Sequence, residues 1–425
     1  MSDRNTEYRA FEQVVDPAEN QRGYAWVVMS MLWSMDIINV IIFSSVGVLI
    51  PIWKDDLGVT PLQAGLLGSA GFLGFGLMAL PSSIWLTRYN PAIVTFICVM
   101  FMGFASLLHS VASSIQVIIA ARFIFVLMSV SRLQMQVVFI QQWFISRLYA
   151  TVNSLDFTIR HVGQTIGFSL IPIVVISLGS WQIFYAFLGI ALLLLSVIWL
   201  IFQRNPNSGT ESKNGIDNND IGNPIKVLVR HKSLWLVSLA QSGAALTFGS
   251  ILTFYPSFAI DRLGIPITSA GILMGIFSIG CIVGSMAAGP MSQYTGRRKP
   301  YVWVPGLLLP ISYSLLIQTE SLPVSAVLLF ISGACAMAVS PVLATVPLDM
   351  RLHHREVAVS LGLTRTIFPF SATLGTMFVG VVQQNSGSLL LGLAIVAPMP
   401  ITLFIFGILM PETGPSKEQN PRSIT

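Results

Sequence analysis

Runs of about 20 apolar residues recur along nearly the whole chain, separated by short polar or Pro/Gly turns. A run of that length crosses the hydrocarbon of a bilayer as one α-helix. In lipid every backbone N–H and C=O has to be satisfied within the segment, so helices are what such runs can form. The 425 residues are 54% hydrophobic and 10% charged; a soluble domain carries about 25% charged residues. A soluble fold of this length cannot bury so much apolar sequence, so the chain reads as a polytopic membrane protein.

The runs predict spans over residues 24–50, 61–87, 92–112, 115–143, 147–178 and 181–203, then 233–259, 267–294, 300–319, 323–348, 355–383 and 388–410. This divides the chain into a tail (1–23), a six-helix bundle (24–203), a linker (204–232), a second six-helix bundle (233–411) and a second tail (412–425). The first tail holds Asp3, Glu7, Glu12, Asp16 and Glu19 and no apolar core, which is unlike a signal peptide. The linker is too polar to order itself, and its basic amphipathic end, 224–232, suits a membrane surface.

Loop charge sets the expected orientation. With the N-terminus inside, twelve Lys and Arg residues fall in inner loops, Arg88, Arg147, Arg297 and Arg298 among them, against Lys54 and Arg262 outside. That bias places both termini in the cytoplasm and the protein in the plasma or inner membrane.

The halves repeat in register. Leu57-Gly58 with Ala64-Gly65 recurs 206 residues later as Leu263-Gly264 with Ala270-Gly271. Gly76 matches Gly284, and Arg147-x-x-Ala150 matches Arg355-x-x-Ala358, each at an offset of 208. Internal repeats are how secondary transporters are commonly built.

Four arginines, Arg122, Arg132, Arg160 and Arg365, lie inside the spans, with Asp36 and Asp156 as the acids of comparable depth. A guanidinium in hydrocarbon is costly, so these side chains face protein or a wet cavity. A surplus of interior positive charge points to an anion as cargo. On a helical rise of about 1.5 Å per residue, Asp36 lies ~18 Å from the inner face, Arg132 ~16 Å, Arg160 ~19 Å and Arg365 ~15 Å. All four sit near the bilayer centre. Arg160 and Arg365, one from each half, can each hold a carboxylate by two parallel hydrogen bonds. Asp156 and Arg160 are also spaced to pair on one helix, as Asp36 could pair with Arg132 between helices.

Asp36 is the leading proton-carrier candidate, with Asp156 and His161 as others, because a group that moves between charged and apolar surroundings loads and releases a proton. Asn39, Gln136 and Gln164 are each about one turn beyond a charged residue, where they can shape a binding site. Trp33, Tyr255 and Phe368 are candidate aromatic walls, with Tyr255 placed among the substrate contacts. Cys98, Cys281 and Cys335 lie far apart in apolar runs and read as packing residues. Adjacent His353 and His354 point apart on a helix, so no metal site is expected there, and no cofactor or nucleic-acid partner is expected.

Gly289-Pro-Met-Ser-Gln-Tyr-Thr-Gly296-Arg297-Arg298-Lys299 is similar to the loop signature between the eighth and ninth helices of the major facilitator superfamily. Gln293 stands where that family usually has an acid, and Pro81-Ser-Ser-Ile-Trp-Leu-Thr-Arg88 is a more degenerate first-half copy. Arg88, Arg297 and Arg298 are accordingly the candidate gating residues of the inner loops. Arg22-Gly-Tyr-Ala-Trp26, Trp143-Phe144-x-x-Arg147-x-x-Ala150 and Gly163-x-x-x-Gly167 resemble the monocarboxylate and oxalate/formate branch. The resemblance covers residues 24–411. It implies an all-α fold of two pseudo-symmetric six-helix bundles that works by alternating access, as a monomer. The expected activity is carriage or exchange of a small organic anion coupled to protons. The alternative is a drug/proton antiporter for apolar or cationic compounds, although the proline after Gly167 that its fifth helix usually has is here Phe168. No nucleophile–base pair or metal set can be assembled from these spans, which argues against an enzyme.

Overall fold

The computed structural model describes residues 19–85, 89–144, 148–203, 232–349, 354–410 and 412. The first half contains α1 (Glu19–Leu57), α2 (Pro61–Trp85), α3 (Pro91–Ser110), α4 (Ile115–Trp143), α5 (Tyr149–Leu178) and α6 (Trp181–Phe202). The second contains α7 (Lys232–Leu263), α8 (Ile267–Thr295), α9 (Pro300–Leu316), α10 (Leu322–Asp349), α11 (His354–Ser386), α12 (Leu389–Val396) and α13 (Ile401–Leu409). Most of the linker, the first tail up to residue 18, Arg88, Arg147 and His353 lie outside the described residues.

Eleven spans among the described residues are long and apolar enough to cross a membrane, and Pro300–Leu316 is a shorter apolar helix. The expected ninth span at 300–319 thus stops at 17 residues, in a segment with Pro305 and Pro310 inside it. The expected span 388–410 is two helices that together cover Leu389–Leu409, joined by turns around Pro398 and Pro400. Prolines also sit within α1, α2, α5, α7, α8 and α11. Inside a bundle, neighbouring helices and local turns satisfy the carbonyls such prolines free.

The repeat is visible in the backbone. Gly58 and Gly264 both end their helices at φ 63°, a left-handed conformation that favours glycine. Gly65 then meets the α11 backbone at Thr376 and Gly380, while its counterpart Gly271 meets α5 at Phe168 and Pro172. The halves therefore join through two equivalent helix pairs, α2 with α11 and α5 with α8. The third repeat pair is not equivalent: Gly76 faces Phe370 of the other half, whereas Gly284 faces Ala334 of its own.

The bundle has a short-loop face, with the turns after Leu57, Ser110, Leu178, Leu263, Leu316 and Ser386, and an opposite face on which the linker begins and ends. The halves touch toward the short-loop face. Ser69 Oγ donates to Thr373 O (3.0 Å) and lies 2.8 Å from Thr376 Oγ1. Ser278 Oγ reaches His161 O at 3.5 Å and Gln164 Oε1 at 3.4 Å. Gly47 packs on the Leu252 and Thr253 carbonyls, and Gly275 on Ser169. Toward the linker face, Asn153, Phe157 and Arg365 stay exposed. Among the described residues, the hydrogen bonds between the halves lie toward the short-loop face.

Candidate functional site

Small residues bring α5 against α1. A Cβ at Gly163 would meet Val40 and Ile37, and one at Gly167 would meet Ile41, so the Gly-x-x-x-Gly spacing lets the two helices approach closely. That approach sets Asp156 and Arg160 of α5 beside Trp33 and Asp36 of α1.

The polar side chains there form one connected network. Arg132 of α4 donates through Nη2 to Asp36 Oδ1 and through Nη1 to Gln136 Oε1 (2.8 Å). Gln136 Nε2 donates to Asp36 Oδ2 (2.9 Å) and to Asp156 Oδ1. Arg160 Nη2 completes the chain by donating to Asp156 Oδ2. Asp36 and Arg132 have no exposed side-chain surface, whereas Arg160 is 29% exposed. One pair is thus locked in protein, and the other is wetted on its arginine side.

The pairing changes the charge count read from the sequence. Two of the four arginines are balanced, which leaves Arg122 and Arg365. Arg122 is 4% exposed, lies with its guanidinium carbon 5.1 Å from the Phe43 ring centroid, and reaches the Phe43 carbonyl at 3.4 and 3.5 Å. That contact satisfies part of a buried cation without a carboxylate. Arg365 is exposed and makes no hydrogen bond or ion pair among the described residues. Of the four arginines within the spans, it is the one in the second half.

The other expected residues are dispersed around this network. Asn39 Oδ1 accepts from Ser129 Oγ (2.8 Å), one turn beyond Asp36. The His161 ring lies 4.3 Å from that of Phe157, and its Nδ1 has no hydrogen-bond partner among the described residues. Gln164 is tied to Ser278 at the seam between the halves. Tyr255 is 1% exposed and packs against Phe258, at the level of the closed seam and away from the Asp36 network. Arg297 is exposed, while Arg298 is buried, with Nη1 donating to Ser292 Oγ (2.7 Å) and its backbone N to Glu412 Oε1 (2.6 Å). Glu412, past the last helix, holds the start of α9 in a loop where Gln293 replaces the usual acid. Among the described residues no group of three His, Cys, Asp or Glu side chains is placed to hold a metal.

Sequence reasoning missed Ser278 and the contacts of Ser69 with α11, because a serine within an apolar run carries no signal of its own. It singled out Phe368 but missed Phe248 and Phe277, which cluster with it. Phe248 of α7 lies 5.7 Å from Phe277 of α8 and 6.0 Å from Phe368 of α11, between ring centroids.

Known proteins agree with this architecture. The family description Major Facilitator Superfamily matches residues 32–376 and 238–424. The uncharacterized transporter YybO of Bacillus subtilis is 22% identical over 284 residues, 63% of this chain and 65% of that protein. A hexuronate transporter of the same organism is 20% identical over 279 residues, 64% and 65% of the two chains. The probable galactarate/D-glucarate transporter GudP, again of B. subtilis, is 22% identical over 305 residues, 66% and 67%. The matched stretch therefore spans about two thirds of these relatives' length. Among solved structures, a bacterial homolog of the human lysosomal transporter Spinster, in an inward-facing and unoccupied conformation, superposes with TM-score 0.71 at 17% identity, covering 91% of this chain and 95% of that one. The nucleoside transporter NupG gives TM-score 0.71 at 14% identity, covering 90% and 98%. With a family match across most of its length and eleven membrane-crossing spans among its described residues, this multi-pass membrane protein belongs to the Major Facilitator Superfamily.

Proposed function

We propose that the chain is a secondary carrier of a small organic anion that works by alternating access and couples transport to protons. The observation that carries this reading is Arg365: an intramembrane guanidinium without a protein partner among the described residues, on the half opposite the wetted Asp156–Arg160 pair. An unpaired cation at that depth is costly unless an anion or water reaches it. An anion entering from the linker face meets Arg365 first. Its carboxylate then competes with Asp156 for Arg160, and the released Asp156 takes up a proton. Asp36, locked to Arg132 and linked to Asp156 through Gln136, is the second proton site along the same chain. His161 stands at the seam where the halves meet.

Two relatives, a hexuronate transporter and a probable galactarate/D-glucarate transporter, support an organic acid as cargo. The alternative of a cationic cargo needs a free acid in the cavity. Both deep acids are already paired, and Arg365 repels a cation. The reading includes both termini in the cytoplasm, from the loop charges, and a monomeric carrier divided by the 204–232 linker.

The test is ligand-induced thermal stabilisation and proteoliposome uptake with mono- and dicarboxylates. Arg365→Lys keeps the charge but removes the planar fork, so anion affinity is expected to fall by about 1.5–3 kcal/mol, the range of a charge-assisted hydrogen bond. Arg365→Gln is expected to fall at least as far. Unchanged anion uptake by well-folded Arg365→Gln protein would refute the assignment.

A further inference from the structure

The surroundings of the anion site are aromatic rather than rich in free hydroxyls and amides. Phe368 is three residues beyond Arg365, so the two side chains start from neighbouring positions on one face of α11. Phe248 lies 6.0 Å from that ring and itself borders Phe277 at 5.7 Å. On the opposite half Phe157 is 39% exposed and backed by His161, and Trp33 lies beside Asp156 and 6.2 Å from Trp26. Several polar side chains of the site already have protein partners. Gln136 serves both acids, Asn39 bonds Ser129, Gln164 bonds Ser278, and Thr364 lies 3.1 Å from Ser238.

A polyhydroxylated acid would surrender the water around each hydroxyl and regain it only where an unengaged protein partner stands opposite, which is unfavourable beside aromatic rings. A flat apolar body surrenders little and gains ring contacts. We infer that the cargo is a carboxylate on an aromatic or otherwise flat apolar body, its head at Arg365 and its body against Phe248 and Phe368. The inference rests on the anion-carrier reading and departs from the sugar acids in the relatives' names.

The experiment measures binding of phenylacetate, D-glucuronate and acetate to the purified full chain in nanodiscs. Phenylacetate is expected to bind about tenfold more tightly than either of the others, the scale of discrimination by an apolar pocket. Phe248→Ala is expected to reduce that preference toward unity. Phe368→Leu, which keeps bulk and guards against a folding defect, is expected to reduce it in part. Glucuronate binding as tightly as phenylacetate, acetate matching it, or a preference that neither variant moves would overturn the inference. In those cases the carrier reading stands if Arg365→Gln abolishes the binding. Binding of none of the three carboxylates overturns both.

Discussion

Asp36→Asn separates the two ion pairs of the central network by energy. Asp36 and Arg132 have no exposed surface, and Arg132 retains only Gln136 Oε1 as partner once the carboxylate charge is gone. Removing one member of a fully buried pair leaves the other as an uncompensated charge, at about 3–5 kcal/mol. Asn can still offer one oxygen, which places the loss toward the lower end. The equivalent change at the other pair, Asp156→Asn, frees an arginine that is 29% exposed and can rehydrate, so about 1 kcal/mol or less is expected. Removing both charges, in Asp36→Asn with Arg132→Gln, is expected to restore most of the stability. The assay is thermal unfolding of each purified variant beside pH-gradient-driven uptake in liposomes. If Asp36 also carries the proton, accumulation is lost in Asp36→Asn while exchange of cargo for cargo persists, since a neutral side chain cannot repel an anion. Equal losses at the two positions would refute the burial argument. Full stability together with full accumulation in Asp36→Asn would move the proton to Asp156 or His161.

The remaining predictions concern the seam, the turns and the orientation. In a background without Cys98, Cys281 and Cys335, a Ser69→Cys/Thr376→Cys pair is expected to form a disulfide, since the native hydroxyls are 2.8 Å apart; it should hold the short-loop face closed and stop uptake until reduced. Free cysteines under oxidant, or undiminished uptake with the bridge formed, would contradict the closed seam. Gly58→Ala and Gly264→Ala share one backbone conformation and are each expected to cost about 1 kcal/mol, read as similar falls in melting temperature. Cysteines at Ser180 and Ser386 should react with impermeant reagents from outside, and those at Ser212 and Ser416 only after permeabilisation; outside labelling at Ser212 would reverse the orientation.

Helical spans were legible because lipid leaves the backbone no other choice, and the half repeat because Gly58 and Gly264 are needed for the same left-handed turn. The Asp156–Arg160 pair was legible from i,i+4 spacing, and Asp36 was matched to Arg132 by depth alone. The rest depends on how each helix is rotated. Gln136 becomes the bridge between two acids only because α4 turns it toward both α1 and α5, and nothing in a one-dimensional pattern fixes that angle. Phe248 and Phe277 look like any apolar residues until three helices bring their rings together. Tyr255 shows the converse, a polar-tipped aromatic of promising depth that packing buries.

The conformation was equally beyond the sequence, yet the repeat explains how it can change. Gly65 and Gly271 occupy equivalent positions and close the short-loop face from both sides, one on α11 and the other on α5. A seam mostly of backbone against backbone, with a few polar contacts such as Ser69–Thr376 and Ser278–Gln164, has few long side chains to disentangle. Opening it removes symmetric contacts on both sides of the cavity together, so the halves can rock as rigid bodies. The charged network lies within one half, joining α1, α4 and α5, and is not broken by that rocking. In the proposed carrier, what the motion alters is the distance from Arg160 to Arg365, on opposite halves. An anion bridging them would favour the approach, and its departure would leave Arg160 to return to Asp156.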